Sequence, residues 1–191
     1  MELKDYIEVS DNVVPYPLLS KFLEYLNLCK FVEAKTIGEN EDAKVPADKK
    51  FRNTYIYPFR NDHPELSNVH WHNLLGSILM PKFLQYGKKM KCRPDIGKII
   101  DISALRYDEG CFYKLHTDHH TNIPRTLSMI FLLNNDYEGG ELVFEEQYGD
   151  NTYTIETKPN RVIVWSSSFL FPHQVKKVTK GTRYSIVSWA L

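Results

Sequence analysis

The chain has 191 residues, enough for one domain with its own core and too few for two of ordinary size. Its 24 Lys and Arg balance its 24 Asp and Glu, so the formal charge is zero and the pI near 7.0, which excludes a bulk field that attracts nucleic acid or an anionic membrane. Cys29, Cys92 and Cys111 lie far apart with no CxxC pair, and no stretch reads as a leader or a bilayer span; free thiols and a cytoplasmic location are expected.

In chain order, the first expected element is an amphipathic helix within Pro15–Phe31, where Leu18, Leu19, Phe22, Leu23, Leu26 and Cys29 recur at three-and-four spacing. It should lie against a sheet. Val32–Lys50 is polar, with charges at Glu39–Asp42 and Asp48–Lys50, and reads as a surface loop whose role in covering a site is left open. A second helical pattern runs from Asn68 to Tyr86 with a stripe of Leu74, Leu75, Ile78 and Leu79, and Pro81 is expected to break it in two.

From Lys98 the texture becomes β-rich. Eight short runs are expected as strands: Ile99–Tyr107, Phe112–His116, Arg125–Leu133, Glu141–Glu145, Tyr153–Glu156, Arg161–Trp165, His173–Val178 and Tyr184–Trp189. Short strands at this spacing after helices imply an α+β, mainly β fold: a jelly roll or barrel-like double sheet with helices on one face. One domain over 1–191 is expected, with 1–97 a helical and loop support and 98–191 the core that carries the site. Gly139-Gly140 suits a tight reversal, and Asn160 a positive φ between two strands.

The chemistry concentrates in His116, Asp118 and His173. In an extended strand, residues i and i+2 share a face, so His116 and Asp118 can aim at one ion while Thr117 points away; His173 would supply the third ligand from another strand. Two imidazoles and one carboxylate on one side of a metal form the facial triad of non-haem Fe(II) oxygenases, which keeps the opposite positions open. Arg183 follows a turn at Lys180-Gly181 that would return it to the same cavity. A guanidinium grips a carboxylate through two parallel hydrogen bonds.

Five ordered blocks, LRYDEGCFYKLHTD (105–118), RTLSMIFLLN (125–134), GGELVF (139–144), PNRVIVW (159–165) and His173 with Arg183, resemble the prolyl 4-hydroxylase-like branch of the 2-oxoglutarate and Fe(II)-dependent dioxygenases. The resemblance covers roughly residues 98 to 191. It implies a double-stranded β-helix, cupin-like, with iron ligands His116, Asp118 and His173 as the catalytic centre and Arg183 on the distal carboxylate of 2-oxoglutarate. It also implies Tyr107 as a residue that reaches the co-substrate, Tyr113 as a pocket-wall aromatic and Trp189 as packing beneath the metal.

Two departures bear on the substrate. Arg183 stands where collagen-type enzymes usually carry Lys, and Leu132 where some relatives carry a Tyr on the distal carboxylate; Ser128 or another hydroxyl is expected to share that task. The activity implied is hydroxylation of a peptidyl residue, proline before others, with Fe(II), 2-oxoglutarate and O2, and with ascorbate left open. A peptide or protein substrate is implied, and neither nucleic acid nor membrane. The same chemistry on a free amino acid or small metabolite, and a metal-binding or sensing module without turnover, stay as alternatives. His119 and His120 are expected beside the site without ligating, His70 and His72 at a helix start on the surface, and Cys111 as structural.

Overall fold

The computed structural model describes residues 2–37, 44–46, 48–91, 96–119, 124–146 and 151–191. The expectations for Glu39–Asp42, Cys92 and His120 fall outside the described residues. A short 3-10 turn at Leu3–Tyr6 is followed by β1 (Glu8–Asp11), α1 (Tyr16–Leu28), β2 (Val32–Glu33), β3 (Lys35–Ile37), β4 (Lys44–Pro46), β5 (Arg52–Asn53), β6 (Tyr55–Pro58) and α2 (Leu66–Lys89). The β-rich part then runs through β7 (Ile99–Tyr107), β8 (Phe112–His116), β9 (Leu127–Leu132), β10 (Glu138–Gly139), β11 (Leu142–Glu145), β12 (Thr152–Thr154), β13 (Arg161–Ser166), β14 (His173–Val175), β15 (Val178–Lys180) and β16 (Arg183–Ala190).

Two antiparallel sheets face each other. The larger has the order β1-β13-β9-β16-β7-β6-β2 and the smaller β12-β11-β14-β8-β5. From β7 onward the chain alternates between them: β7, β9, β13 and β16 in the larger, β8, β11, β12 and β14 in the smaller. That winding makes a double-stranded β-helix, or jelly roll. Strand alternation divides the larger sheet's side chains. Leu105, Tyr107, Ile130, Leu132, Ile163, Trp165 and Val187 turn into the space between the sheets, where Phe144, Val175 and Val178 meet them. Ala104, Met129, Phe131, Val162, Val164 and Ile186 turn the other way, against the helices.

Both helices bury their apolar stripes in that second layer. Leu19, Phe22 and Leu26 of α1, and Leu75, Leu79 and Phe83 of α2, are 4% exposed or less. Pro81 does not divide α2, which is one continuous element. Its ring lies on the solvent side, and Leu75, Leu79, Phe83 and Tyr86 on the opposite side anchor the turns before and after it. Their burial offsets the roughly 3 kcal/mol that an interior proline costs.

The N-terminal region is more β-structured than expected. β1, β2 and β6 extend the larger sheet and β5 the smaller, so the 97/98 boundary does not separate the sheets from their support. Within Val32–Lys50, expected as a loop, β3 and β4 form a hairpin, Lys35 opposite Pro46 and Ile37 opposite Lys44. The expected strand His173–Val178 is two strands, β14 and β15, in different sheets. Asn160 has φ +62 and fastens the N-terminal segment: Val14 N–H donates to its Oδ1 at 3.0 Å, and its amide donates to the Val14 carbonyl at 2.6 Å. Beside it Arg161 pairs with Asp11 at 2.6 Å. Cys29 and Cys111 are free thiols. Among the described residues no helix is long and apolar enough to cross a membrane.

Candidate functional site

His116 ends β8 and His173 begins β14, and these two strands are neighbours, with the histidines directly opposite each other. Their rings lie 4.4 Å apart between centroids. The extended conformation stops at His116, so Asp118 lies on the bend that follows rather than on the strand. The alternation still holds: Thr117 is exposed while Asp118 is 8% exposed and faces inward. Asp118 Oδ1 is 3.8 Å from His116 Nε2 and Oδ2 is 3.5 Å from His173 Nε2; the three ligand atoms fall within 4.8 Å of one another.

Backbone carbonyls set the tautomers. His116 Nδ1 lies 2.8 Å from the Lys114 carbonyl and His173 Nδ1 3.0 Å from the Phe171 carbonyl. A carbonyl only accepts, so each Nδ1 carries the proton and each Nε2 presents a lone pair toward Asp118. Burial, with His173 beside it, pushes the His116 pKa down to about 3, so the ring is neutral at ordinary pH. Burial alone would raise Asp118. The neighbouring His173 and His116, a hydrogen bond from Ser128 and the Arg125 charge outweigh it and hold the carboxyl below its usual range. Two imidazoles and one carboxylate, gathered around one point before any metal arrives, suit a divalent iron that keeps its other positions for exogenous ligands.

A bulge explains the wall beside the triad. Val175 pairs with Tyr113 and His173 with His116, so three steps on β8 match two on β14. The extra residue brings Tyr113 and His116 to one face, which strict alternation would forbid, and their rings stack at 3.6 Å and 18°. Burial drives the Tyr113 phenol up to about 12. Trp165 meets His173 edge-on at 5.0 Å, and Phe144 meets Trp165 at 5.1 Å. Behind Asp118, Arg125 donates to the Asp118 carbonyl at 3.2 Å and lies 3.7 Å over the Trp189 ring, so Trp189 sits beneath the acidic ligand through Arg125.

Arg183 opens β16 opposite Tyr107 on β7, its guanidinium carbon 5.1 Å from the Tyr107 ring centroid. It is 1% exposed, and one guanidinium nitrogen donates to Ser185 Oγ at 2.8 Å. Nε and the other terminal nitrogen have no hydrogen-bond partner, and no carboxylate among the described residues pairs with the side chain. A buried cation without a counter-charge is costly. The unused donors fit a carboxylate arriving from outside, held in the fork that guanidinium offers. Tyr107 is 1% exposed and joins the apolar cluster that also contains Trp165 and Phe144, so Arg183 and the triad border one interior.

Ser128 is placed elsewhere. It is fully buried, its hydroxyl 2.7 Å from Ser167 Oγ, and it lies on the Asp118 side of the site, where it helps hold that carboxyl below its usual range. Leu132, opposite Ser185, is four residues along β9, about 13 Å in an extended strand. The hydroxyl at Arg183 is that of Ser185, two residues on along the same face, which period-two spacing from Arg183 could have identified. Gly139 and Gly140, with φ +73 and +67, lie against backbone and side chains of the next layer: a Cβ on Gly140 would come 3.0 Å from Arg183 Cδ and 3.2 Å from Tyr137 Cε2. His119 is exposed, with Nδ1 3.3 Å from the Arg125 carbonyl; His72 contacts the Phe59 carbonyl at 3.2 Å and His70 is exposed on α2, all outside the triad. Cys111 is buried in the inner cluster.

The comparisons with known proteins agree with this geometry. A family model described as the 2OG-Fe(II) oxygenase superfamily matches residues 102–191. A PKHD-type hydroxylase of Crocosphaera subtropica is 34% identical over 189 residues, covering 94% of this chain and 75% of that protein. One from Synechococcus sp. is 34% identical over 109 residues, which are 53% of this chain and 46% of that protein, so the chain spans under half the length of some curated relatives it matches. Among solved structures, a Trichoplax adhaerens prolyl hydroxylase in complex with a hypoxia inducible factor oxygen degradation domain peptide fragment superposes with a TM-score of 0.75 at 16% identity, over 98% of this chain and 84% of that one. A Pseudomonas putida prolyl-4-hydroxylase gives 0.68 at 15% identity, over 97% and 91%. These two show the fold, and the Crocosphaera match extends through both helices and both sheets: the chain belongs to the 2OG-Fe(II) oxygenase superfamily, with the PKHD-type hydroxylases.

Proposed function

We propose that this protein is a hydroxylase that oxidises a peptidyl residue, proline before others, and converts 2-oxoglutarate to succinate and CO2. The cofactor and co-substrates of its family are Fe(II), 2-oxoglutarate and O2. The observation that carries the reading is Arg183, a buried guanidinium with two unpartnered nitrogens, in the interior that His116, Asp118 and His173 also border.

The site residues divide the work. His116, Asp118 and His173 hold Fe(II), which when bound supplies the redox chemistry of oxygen activation and decarboxylation. The Lys114 and Phe171 carbonyls keep both rings in the tautomer that offers Nε2. Arg183 and Ser185 take the distal carboxylate of 2-oxoglutarate, and Tyr107, under the guanidinium, lines its path. Ser128 orients Asp118 and replaces its expected place on the co-substrate. Tyr113, Trp165 and Phe144 wall the ligands with rings and exclude water. We place this activity in one domain over 1–191, in the cytoplasm, on the strength of the shared sheets and the free thiols of Cys29 and Cys111.

The test is aerobic 2-oxoglutarate consumption with Fe(II), scored by mass spectrometry on proline-containing peptides beside free amino acids. Succinate release coupled to a one-oxygen mass gain on a peptide supports the reading. Gain on free amino acids alone moves the activity to small metabolites, and metal and 2-oxoglutarate binding without turnover across both panels leaves a sensing module.

A further inference from the structure

Arg52 is a cation that no carboxylate among the described residues pairs with, at the margin of this site. It lies on β5, the outermost strand of the smaller sheet, directly opposite Tyr113. Its guanidinium carbon is 4.5 Å from the Tyr113 ring centroid, and the same ring stacks on His116, so one tyrosine touches both the metal-ligand set and Arg52. One terminal nitrogen donates to the Lys35 carbonyl at 3.2 Å, while Nε is buried with no hydrogen-bond partner among the described residues.

The surroundings are also positive. Lys35, Lys50 and Lys114 are exposed, and the Lys114 N–H donates to the Phe51 carbonyl at 3.0 Å, which ties that strand to β5. Of the nearby described acids, Glu33 is taken by Lys49 at 2.7 Å and Asp48 accepts the Lys50 N–H at 2.9 Å. Phe51, the residue before β5 and 37% exposed, meets the Tyr113 ring edge-on at 5.7 Å and adds apolar surface there. A guanidinium is charged at every working pH, and beside a ring that excludes water it attracts a carboxylate more strongly than a fully solvated lysine does.

From this arrangement we infer that Arg52 is a carboxylate-binding subsite for the prime substrate, an acidic peptide whose Asp or Glu lies two or three residues from the one that reacts. An extended peptide advances about 3.3 Å per residue, which spans the width of the Tyr113 ring and its two contacts in that many steps. Phe51, edge-on to Tyr113, packs against the intervening side chains. The inference rests on the hydroxylase reading above and specifies the substrate that it leaves open.

The experiment measures binding of fluorescein-labelled ten-residue peptides with a central proline to the protein loaded with Mn(II) and 2-oxoglutarate. One series carries Asp or Glu two or three positions from the proline and the other Asn or Gln. The wild-type chain should bind the acidic series about tenfold more tightly or better, as charge-assisted hydrogen bonds do. Arg52→Gln should erase the preference, and Arg52→Lys should restore part of it. Lys49→Gln, which lowers the net charge equally, should leave it intact. Equal binding of both series, a preference that survives Arg52→Gln, or equal loss in Lys49→Gln overturns the subsite. Hydroxylation of both series with the same KM keeps the hydroxylase reading and removes the subsite; acid-dependent binding without oxygen incorporation keeps the subsite and removes that reading.

Discussion

His116 and His173 are direct cross-strand partners on β8 and β14, and Asp118 closes the triangle from the bend after β8. The triad is thus a product of one strand pairing plus one turn. Asp118→Ala leaves two imidazoles with no anionic ligand, and Mn(II) affinity measured by calorimetry should fall beyond the 10–100-fold typical of losing only a supporting hydrogen bond. An affinity within a few-fold of wild type would place the metal elsewhere.

Arg183 separates co-substrate binding from stability. Since the buried cation has no counter-charge among the described residues and only Ser185 as a hydrogen-bond acceptor, Arg183→Met should leave the ligand-free chain as stable as wild type or more so. Saturating 2-oxoglutarate with Mn(II) should raise the wild-type Tm and not that of the variant. The loss in co-substrate binding should be about 2–3 kcal/mol. Thermal melts with and without the ligand read both quantities.

Gly140 sets the room that Arg183 occupies. With φ +67 and a Cβ position 3.0 Å from Arg183 Cδ and 2.9 Å from Val178 Cγ2, Gly140→Ala must strain the backbone and displace the arginine. A stability loss of about 1–2 kcal/mol and a roughly tenfold rise in the KM for 2-oxoglutarate are expected. A stability loss with unchanged KM would refute the coupling.

Asn160 clamps the N-terminal segment with its side chain as well as its backbone. Asn160→Ala removes both bonds to Val14 and keeps the φ of +62 that alanine resists, so it should cost about 3–4 kcal/mol in urea titrations. Asn160→Gly loses the bonds and relieves the φ, and should cost about 2 kcal/mol. The reverse order would show that backbone conformation is not the determinant.

The Asp11–Arg161 contact predicts an acid-sensitive component of stability. Hydrogen bonds from Arg161 and then Lys158 hold the Asp11 carboxyl well below the usual carboxylate range. Its folded-state pKa is depressed, so the contribution is present above the unfolded value near 4 and is lost as pH falls through the folded one. Asp11→Asn should be less stable at pH 7 by no more than about 1 kcal/mol, because water screens the pair, and should have a flatter acid limb in Tm against pH from 7 to 2.

What the sequence determined by itself is what depends on local periodicity: the helix on α1, the bounds of β7 and β8, the inward pairing of His116 with Asp118, and the αL position of Asn160. Side-chain direction in a strand repeats every two residues, so spacing alone reports the shared face. Only the tertiary structure decided the remainder. The β8 bulge turns Tyr113 onto the face of His116, and its extra residue is visible only against the register of β14. Burial beneath α2 carries the helix through Pro81, a balance that local propensity cannot register. Whether a hydroxyl reaches Arg183 or Asp118 depends on position along the barrel, which puts Ser185 at one end and Ser128 at the other. Local pattern fixes direction; register and packing fix which directions meet.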